Sequence, residues 1–336
     1  MKTNNKAARS AYWERNRKSN GYLFRKDMVN FFVKVGRFVL LFGMSFLILQ
    51  PLLNKISVSF MTNEDLYNPI VVSIPTVFTG QNYQTAAAIM KYGEALKNST
   101  IISLSIALIQ TAMCTLVGYG FARFKFPLKN MWFAFVLAMI VVPPQAFQSS
   151  LYAHFRYWDI FGIITAIRGE GLNLRGSIIP YYLMSAGCIG LKNGLYIYLI
   201  RQFFRNIPGD LEEAAYVDGC GMLKTFIRIM LPEAKPIITS CFMFSLVWQW
   251  TDGFYSKFFL GGKQLVSTSL ANVVDSLGVY IAREQGVPNA QISVSTQLSN
   301  CILSTGTILI ILPLLILYLF AQRTFVESIS SSGIKM

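Results

Sequence analysis

The chain has few side chains that could do chemistry, and the densest polar set lies at residues 213–236. This stretch holds carboxylates, glycines and prolines between two long apolar segments. The single histidine, His154, has no cluster of polar residues around it, so we expect a loop histidine rather than a ligand. We therefore interpret residues 213–236 as a surface that another protein holds, and not as a catalytic centre.

The five cysteines predict neither a disulfide framework nor a metal site. Their number is odd, and no two of them form a C-x-x-C pair. Most lie inside apolar segments, where cysteine behaves as a small hydrophobic residue. The sequence also lacks the G-x-x-x-x-G-K-[ST] motif that would hold nucleotide phosphates. We therefore expect no catalytic residue, no cofactor and no metal in this chain.

The polar stretch predicts two short helices joined by a turn. Asp210 can cap the first helix, with Glu213 three residues later as its capping-box partner. Ala214 and Ala215 then give the helix a thin face, which lets another surface approach closely.

The turn and the second helix follow directly. Asp218 and Gly219 predict the turn, because glycine adopts a positive φ at a helix end without strain. The second helix has an apolar stripe at helical spacing, which consists of Leu223, Phe226, Ile227 and Met230. Pro232 is expected to end this helix, and Pro236 to open the next apolar segment.

The composition is that of a polytopic membrane protein. Hydrophobic residues make up 53% of the 336 residues and charged residues 14%, whereas soluble domains carry about 25% charged residues. Six membrane spans are predicted, at about 38–60, 98–121, 131–152, 178–204, 237–254 and 298–320. The third contains Pro143 and Pro144, which either break it at membrane depth or end it near Val142 before an external helix.

The basic residues predict the orientation. Residues 1–37 form a basic arm with ten Lys and Arg, and Arg123 lies in a second basic cluster. Such clusters mark the cytoplasmic side, so both termini and a loop at 206–236 are expected there. This distribution fits membrane topology better than nucleic-acid binding, although the net charge is +14. Residues 38–336 would form the transmembrane domain, with external loops at 61–97, 153–175 and 255–297, and a short helix near 86–95 in the first of these.

The polar stretch resembles a known motif. The pattern Glu-Ala-Ala, three residues, Gly, nine residues, Ile, one residue, Leu-Pro is met by Glu213, Ala214, Ala215, Gly219, Ile229, Leu231 and Pro232. It resembles the EAA loop of permease subunits of binding-protein-dependent ABC importers. With Asp218, Phe226 and Pro236, the stretch is similar to the carbohydrate branch of that family.

Two other stretches are similar to maltose and multiple-sugar permeases. One is Y-x-F-A-R-F-x-F at 119–126, and the other is the tail Q-R-x-F-V-E at 322–327, which is typical of the second of two permease subunits. The resemblance covers about residues 95–336, and the arm at 1–37 lies outside it. At 250–252 the chain has W-T-D where the family often has Trp-Asn-Asp/Glu, which weakens any transfer of substrate contacts.

The resemblance implies an all-α membrane protein with six transmembrane helices, the type I importer permease fold and a cytoplasmic coupling helix. It implies a subunit that imports a sugar through the plasma membrane without being an enzyme itself. Its implied partners are a second permease subunit, two ATP-binding subunits that hold ATP and Mg, and an extracellular sugar-binding protein. The implied ATPase-coupling residues are Glu213, Ala214, Ala215, Asp218, Gly219, Ile229, Leu231 and Pro232. Glu213 could instead only cap its own helix, and both roles can hold together.

Candidate substrate contacts lie near the end of the fifth span. Aromatic rings stack on sugar faces, and amides and carboxylates bond sugar hydroxyls. Residues of these types occur together there, as Trp248, Gln249, Trp250 and Asp252. Polar residues at membrane depth are candidates for functional sites. The alternative is that the tryptophans form an interfacial belt and that Asp252 lies in external water.

Two other transport functions remain open from the sequence. An ABC permease for a solute other than a sugar would share the coupling motif. A stand-alone secondary carrier would need ion-binding groups in several spans or inverted repeats, and neither is evident.

Overall fold

The computed structural model describes residues 13–287 and 292–333 of the chain. Within these residues the regular structure is helical, apart from one isolated antiparallel bridge between Trp158 and Leu172. The expectation of an all-α protein is therefore confirmed. The tail residues 334–336 and the arm residues 1–12 lie outside the described residues.

Three helices in the described part of the chain are long and apolar enough to cross a membrane. They are α1 (Tyr22–Ser59), α4 (Tyr92–Arg123) and the part Thr296–Phe320 of α17 (Thr296–Gly333). Between the first two lie α2 (Asn63–Tyr67) and α3 (Gln81–Ile89). Helix α1 begins at Tyr22, inside the basic arm. Residues 22–37 of the arm therefore belong to the same helix as the first span. Helix α17 likewise continues the sixth span to Gly333.

Within the described residues, two bent pairs of helices are each long and apolar enough to form a further span. Helix α5 (Lys129–Val141) is followed by a 3₁₀ turn (Pro144–Phe147) and α6 (Gln148–Arg156), which together turn by 106° from α5. The short helix α7 (Ile163–Arg168) comes next. No straight helix therefore covers the predicted third span, because two prolines stop α5. The second bent pair joins residues Met222–Glu233 to α13 (Lys235–Thr251) at 73°.

The predicted fourth span is divided into two helices. Helix α8 (Ile179–Ala186) and α9 (Asn193–Asn206) are separated by residues 187–192, so the prediction of one continuous helix was wrong. Within this break Cys188 has φ 57° and Lys192 has φ 63°. Left-handed residues of this kind interrupt a right-handed helix.

The third predicted external loop contains more regular structure than expected. Residues 255–297 were predicted to form an external loop, yet they include most of α14 (Phe254–Leu260) and all of α15 (Val266–Ala271) and α16 (Val273–Glu284). Val273 and Leu277 of α16 are buried in a cluster with Met90 and Ile302. These contacts with distant helices, rather than a local motif, hold the segment in place.

Small residues let the central helices approach closely. A Cβ atom on Gly118 of α4 would lie 2.8 Å from Ile200 Cγ2 of α9. A Cβ atom on Gly194 of α9 would lie 2.7 Å from the Val136 carbonyl oxygen of α5. Glycine is therefore required where these backbones pack, as in other membrane helix bundles.

Candidate functional site

The first helix of the 206–236 loop is α10 (Asp210–Val217). Its N-cap is Gly209, whose carbonyl oxygen accepts the N–H groups of Glu212 and Glu213 at 2.9 and 3.1 Å. No side chain caps the helix, so the predicted capping box of Asp210 and Glu213 was wrong. The helix begins one residue earlier than that motif requires. The three carboxylates of its first turn still oppose the positive end of the helix dipole.

A Schellman turn closes α10 at Gly219. Gly219 has φ +78°, and its N–H donates to the Tyr216 carbonyl at 3.0 Å. The N–H of Cys220 donates to the Ala215 carbonyl at 2.9 Å, which completes the motif. The predicted turn at Asp218 and Gly219 is confirmed. It determines the direction in which the chain leaves α10.

Glu212 attaches α10 to the end of α4. Tyr119 Oη donates to Glu212 Oε1 at 2.8 Å, and Arg123 Nε lies 3.2 Å from Glu212 Oε2. The contact between Arg123 Nε and Glu212 is an ion pair, because its geometry is not that of a hydrogen bond. Arg123 Nη2 also donates to the Ile207 carbonyl at 2.7 Å, just before the loop helix begins. Glu212 is buried, so a buried charge joins the end of α4, the residue before the loop helix and α10 itself.

An aromatic cluster supports this contact from the interior. The ring centroid of Tyr119 lies 5.2 Å from that of Phe204 in α9 and 4.7 Å from that of Phe226 in the second half of the loop. Aromatic rings at these distances attract one another beyond their burial. Both halves of the loop are thereby packed against the ends of α4 and α9.

The opposite side of α10 is exposed. Ala215 is buried against the chain, whereas Glu213, Ala214 and Asp218 face outward. The two alanines therefore serve different surfaces, contrary to the predicted single thin face. Large apolar side chains are also exposed on α10 and at the start of the next helix, namely Leu211, Tyr216, Val217, Met222 and Leu223. An apolar surface of this kind is typical of a protein interaction site.

The second half of the loop is not one regular helix. It consists of α11 (Met222–Thr225), a π-helical turn (Phe226–Met230) and α12 (Leu231–Glu233). Phe226 and Met230 are buried, but Leu223 and Ile227 are exposed, so the predicted apolar stripe was only half right. The π-helical turn changes the spacing at which residues share a face.

The motif residues of this half are divided between core and surface. Ile229 and Leu231 are half-buried and pack against the central core, while Pro232 is exposed. Pro236 opens α13 as predicted. The motif therefore combines an exposed helix with an anchored connection to a membrane segment.

The four predicted substrate contacts do not share one surface. Trp248 is exposed, whereas Gln249 and Trp250 are buried, and Trp250 Nε1 donates to the Ile310 carbonyl at 3.2 Å. Asp252 is also buried and accepts the N–H groups of Phe254, Tyr255 and Ser256 at 2.8–3.3 Å, as well as the Tyr181 hydroxyl.

Asp252 thus caps the start of α14. The alternatives that it lies in external water, and that Trp250 belongs to an interfacial belt, were wrong. Both side chains are held by contacts inside the helix bundle.

A buried amide cluster was missed by the sequence reasoning. Gln110 of α4 donates through Nε2 to the Leu191 carbonyl and to Asn193 Oδ1. Its Oε1 accepts Ser245 Oγ at 2.5 Å and Gln249 Nε2 at 3.2 Å. The available signal was a glutamine in the centre of an apolar segment, which is costly unless partners surround it. Within the described residues, no group of three or more His, Cys, Asp and Glu side chains is placed to hold a metal ion.

Comparison with known proteins identifies the family of the chain. Residues 114–331 match the family described as binding-protein-dependent transport system inner membrane component. A probable ABC transporter permease protein of Pyrococcus horikoshii is 30% identical over 55% of this chain and 62% of its own length. The maltodextrin transport system permease protein MalD of Streptococcus pneumoniae is 27% identical over 89% of this chain and 94% of its own length.

A solved structure shows the same fold. A chain of a bacterial ABC transporter involved in the import of the acidic polysaccharide alginate superposes with a TM-score of 0.64 and 16% identity. The superposition covers 87% of this chain and 96% of that one. With the family match over most of the chain, the protein belongs to the binding-protein-dependent transport system inner membrane components, the membrane permeases of ABC transporters.

Proposed function

We propose that the chain is one of two permease subunits of an ATP-driven importer for a sugar or oligosaccharide. Two of the similar proteins, from Streptococcus pneumoniae and from an alginate importer, are described as carbohydrate transporters. The Y-x-F-A-R-F-x-F stretch at 119–126 supports the same class. An extracellular binding protein delivers the solute, and the second permease subunit completes the path.

The 206–236 loop is the part that the ATPase moves, and the contact between Glu212 and Arg123 carries this assignment. A coupling element must transmit force, so it needs an outer face for the partner and a firm attachment to a membrane helix. Helix α10 has both, because Glu213 and Val217 are exposed while Glu212 is held by Tyr119 and Arg123 of α4. A push on the outer face is therefore passed to α4.

The transport cycle follows from this attachment. ATP and Mg bind to the two partner ATPase subunits, whose closure brings the two coupling helices together. The permease pair then turns from inward-facing to outward-facing, and hydrolysis resets it. The chain supplies the docking surface and half of the path. It lies in the plasma membrane with both termini in the cytoplasm, which the basic arm at 1–37 supports.

Co-purification tests the assembly, and uptake tests the function. A tagged chain expressed with its genomic neighbours should bring down a second permease subunit and an ATPase. Proteoliposomes that contain the complex and its binding protein should accumulate a labelled oligosaccharide with ATP and not with a non-hydrolysable analogue. A chain that purifies alone, or uptake that needs no ATP, would contradict the proposal.

Charge reversal in the loop tests the coupling role. Glu213→Lys and Gly219→Asp should abolish ATP-dependent uptake and leave membrane insertion unchanged. The matched control is Glu233→Lys, an exposed glutamate of the same loop that lies outside the motif residues. Normal uptake by both motif variants would show that α10 is not the coupling element.

A further inference from the structure

Lys192 lies at the middle depth of the helix bundle. The Gln110 side chain of α4 bonds the Leu191 carbonyl and the Asn193 side chain, which are the two neighbours of Lys192. From Gln110, helix α4 extends about 20 Å to Arg123 and about 27 Å to Tyr92, at 1.5 Å per residue. Since α4 is long enough to cross a membrane, its middle, and Lys192 with it, lies well inside the apolar layer.

Lys192 and Trp248 face away from the core of the chain. Both side chains are exposed, and Lys192 Nζ lies 4.7 Å from the centroid of the Trp248 ring. Trp248 belongs to an exposed stripe on α13 at helical spacing, formed by Phe244, Val247, Trp248 and Thr251. The pair therefore lies on an outer face of the single chain, where a second subunit or a path between subunits can meet it.

The charge of Lys192 is not balanced by a nearby carboxylate. Among the side chains that the structure describes, no carboxylate oxygen lies within 4.0 Å of Lys192 Nζ. A lysine at membrane depth is costly against lipid, and such residues face a water-filled cavity or a polar partner. The cation–π contact with Trp248 offsets part of that cost. Lys192 therefore faces water or a polar group on its exposed side, and its free charge can attract an anion there.

We propose that Lys192 and Trp248 form a subsite on the transport path that binds an acidic saccharide. The proposal rests on the proposed function, which supplies the saccharide. The face of a sugar ring stacks on the Trp248 ring, and the Lys192 ammonium donates to a carboxylate on the sugar. An ammonium has three N–H donors, and its bonds to a carboxylate are stronger than bonds between neutral groups. The break between α8 and α9 presents the lysine at this level.

Cysteine labelling in the assembled importer tests the location. The variants are made in a chain with Cys188→Ala and Cys220→Ala, since these two cysteines are not buried. We expect Lys192→Cys to react with water-soluble, membrane-impermeant methanethiosulfonates in the ATP-free or the ATP-bound state. The control Leu41→Cys, on an exposed apolar face of α1, should not react. Failure of Lys192→Cys to react in both states would overturn the proposal.

Reagents of opposite charge test the anion preference without knowledge of the sugar. Trp248→Cys should react with an anionic methanethiosulfonate at least about fourfold faster than with a cationic one of the same size. The reason is that one positive charge about 5 Å away in water attracts the anionic reagent and repels the cationic one. Adding Lys192→Met should abolish this preference, and Lys192→Arg should keep it. An absent preference would mean that a partner carboxylate neutralises Lys192, and a preference that persists in Lys192→Met would come from another positive charge. Either result would overturn the anionic subsite. These labelling rates can be measured without a transported solute. A failed uptake assay would contradict only the proposed function, so the two failures can be distinguished.

Discussion

Arg123 Nε of α4 lies 3.2 Å from Glu212 Oε2 of α10, so an ion pair joins a long membrane helix to the loop helix that carries the motif. Both side chains are largely shielded from solvent, at 17% and 11% exposure. Glu212 directly precedes the motif residue Glu213, yet only Glu212 faces the interior. Adjacent carboxylates thus have separate tasks, since one holds the helix in place and the other is available to a partner.

Replacing Glu212 should weaken the fold, and replacing Glu213 should not. Glu212→Gln leaves Arg123 without its counter-charge, and we expect a loss of about 2 kcal/mol of unfolding free energy. Glu213→Gln is the matched control, because its side chain is exposed. The measurement is the thermal unfolding midpoint of the purified complex, together with uptake. Equal midpoints for the two variants would contradict the anchoring role of Glu212.

Gly219 should tolerate no side chain, for a reason of backbone conformation alone. A Cβ atom there would meet no atom within 4 Å, but φ is +78°, and a non-glycine residue in this region costs about 1 kcal/mol. Gly219→Ala should therefore lower the unfolding midpoint and change the exit angle of α10.

The neighbouring Gly221 provides the control for this prediction. It has φ −75°, and a Cβ atom there would also have open space around it. Gly221→Ala should leave the midpoint and the ATP-dependent uptake unchanged. If both alanine variants behaved alike, the left-handed conformation of Gly219 would not be the cause of the lower unfolding midpoint.

Gly118 should be required for the close contact of α4 with α9. A Cβ atom at Gly118 would lie 2.8 Å from Ile200 Cγ2 and 3.3 Å from the Arg201 backbone nitrogen. Gly118→Ala forces the helices apart, and we expect a loss of about 1–3 kcal/mol, as for other overpacked cores.

Gly120, two residues further along α4, is the matched control. A Cβ atom there would lie 3.8 Å from Phe124 Cδ2, which is an ordinary contact. Gly120→Ala should leave stability equal or slightly higher, because alanine favours the helix over glycine. Unfolding midpoints in detergent compare the two variants, and a larger loss at Gly120 would refute the packing argument.

The stability of the segment between the first two spans should depend on pH through Asp65. The hydrogen bond from the Thr76 hydroxyl, with backbone N–H groups, holds the pKa of the Asp65 carboxyl below its usual value. A carboxyl whose pKa is lower in the folded state stabilises that state above its ordinary pKa of about 4, and this contribution is lost as the pH falls.

Asp65→Asn should therefore lower the unfolding midpoint at pH 7, and the difference from the wild type should shrink towards pH 3. The neighbouring exposed Glu64 supplies the control variant, Glu64→Gln, which should show no such pH-dependent difference. A difference for Asp65→Asn that stayed constant between pH 7 and pH 3 would argue against the carboxylate as its source.

Sequence patterns alone establish the class of the protein and the place of its Glu-Ala-Ala motif. Long apolar runs exclude a soluble fold whatever the packing, and a glycine at 219 in a short polar stretch requires a turn there. These properties are local, because they depend on residues that are close together in the chain. The match of Glu213 to Pro232 with a spaced motif is local in the same sense.

The packing of the helices sets which side chains face the core and which remain available. Glu212 and Glu213 are the same residue type in adjacent positions, and only the arrival of Tyr119 and Arg123 distinguishes them. From its residue type Asp252 was a candidate sugar contact, but in the structure α14 and Tyr181 enclose it. Lys192 drew no attention in the sequence, because its depth and its contact with Trp248 depend on how α4, α9 and α13 pack. Such contacts join residues about 50 to 90 positions apart, and their energies depend on the three-dimensional arrangement rather than on local pattern.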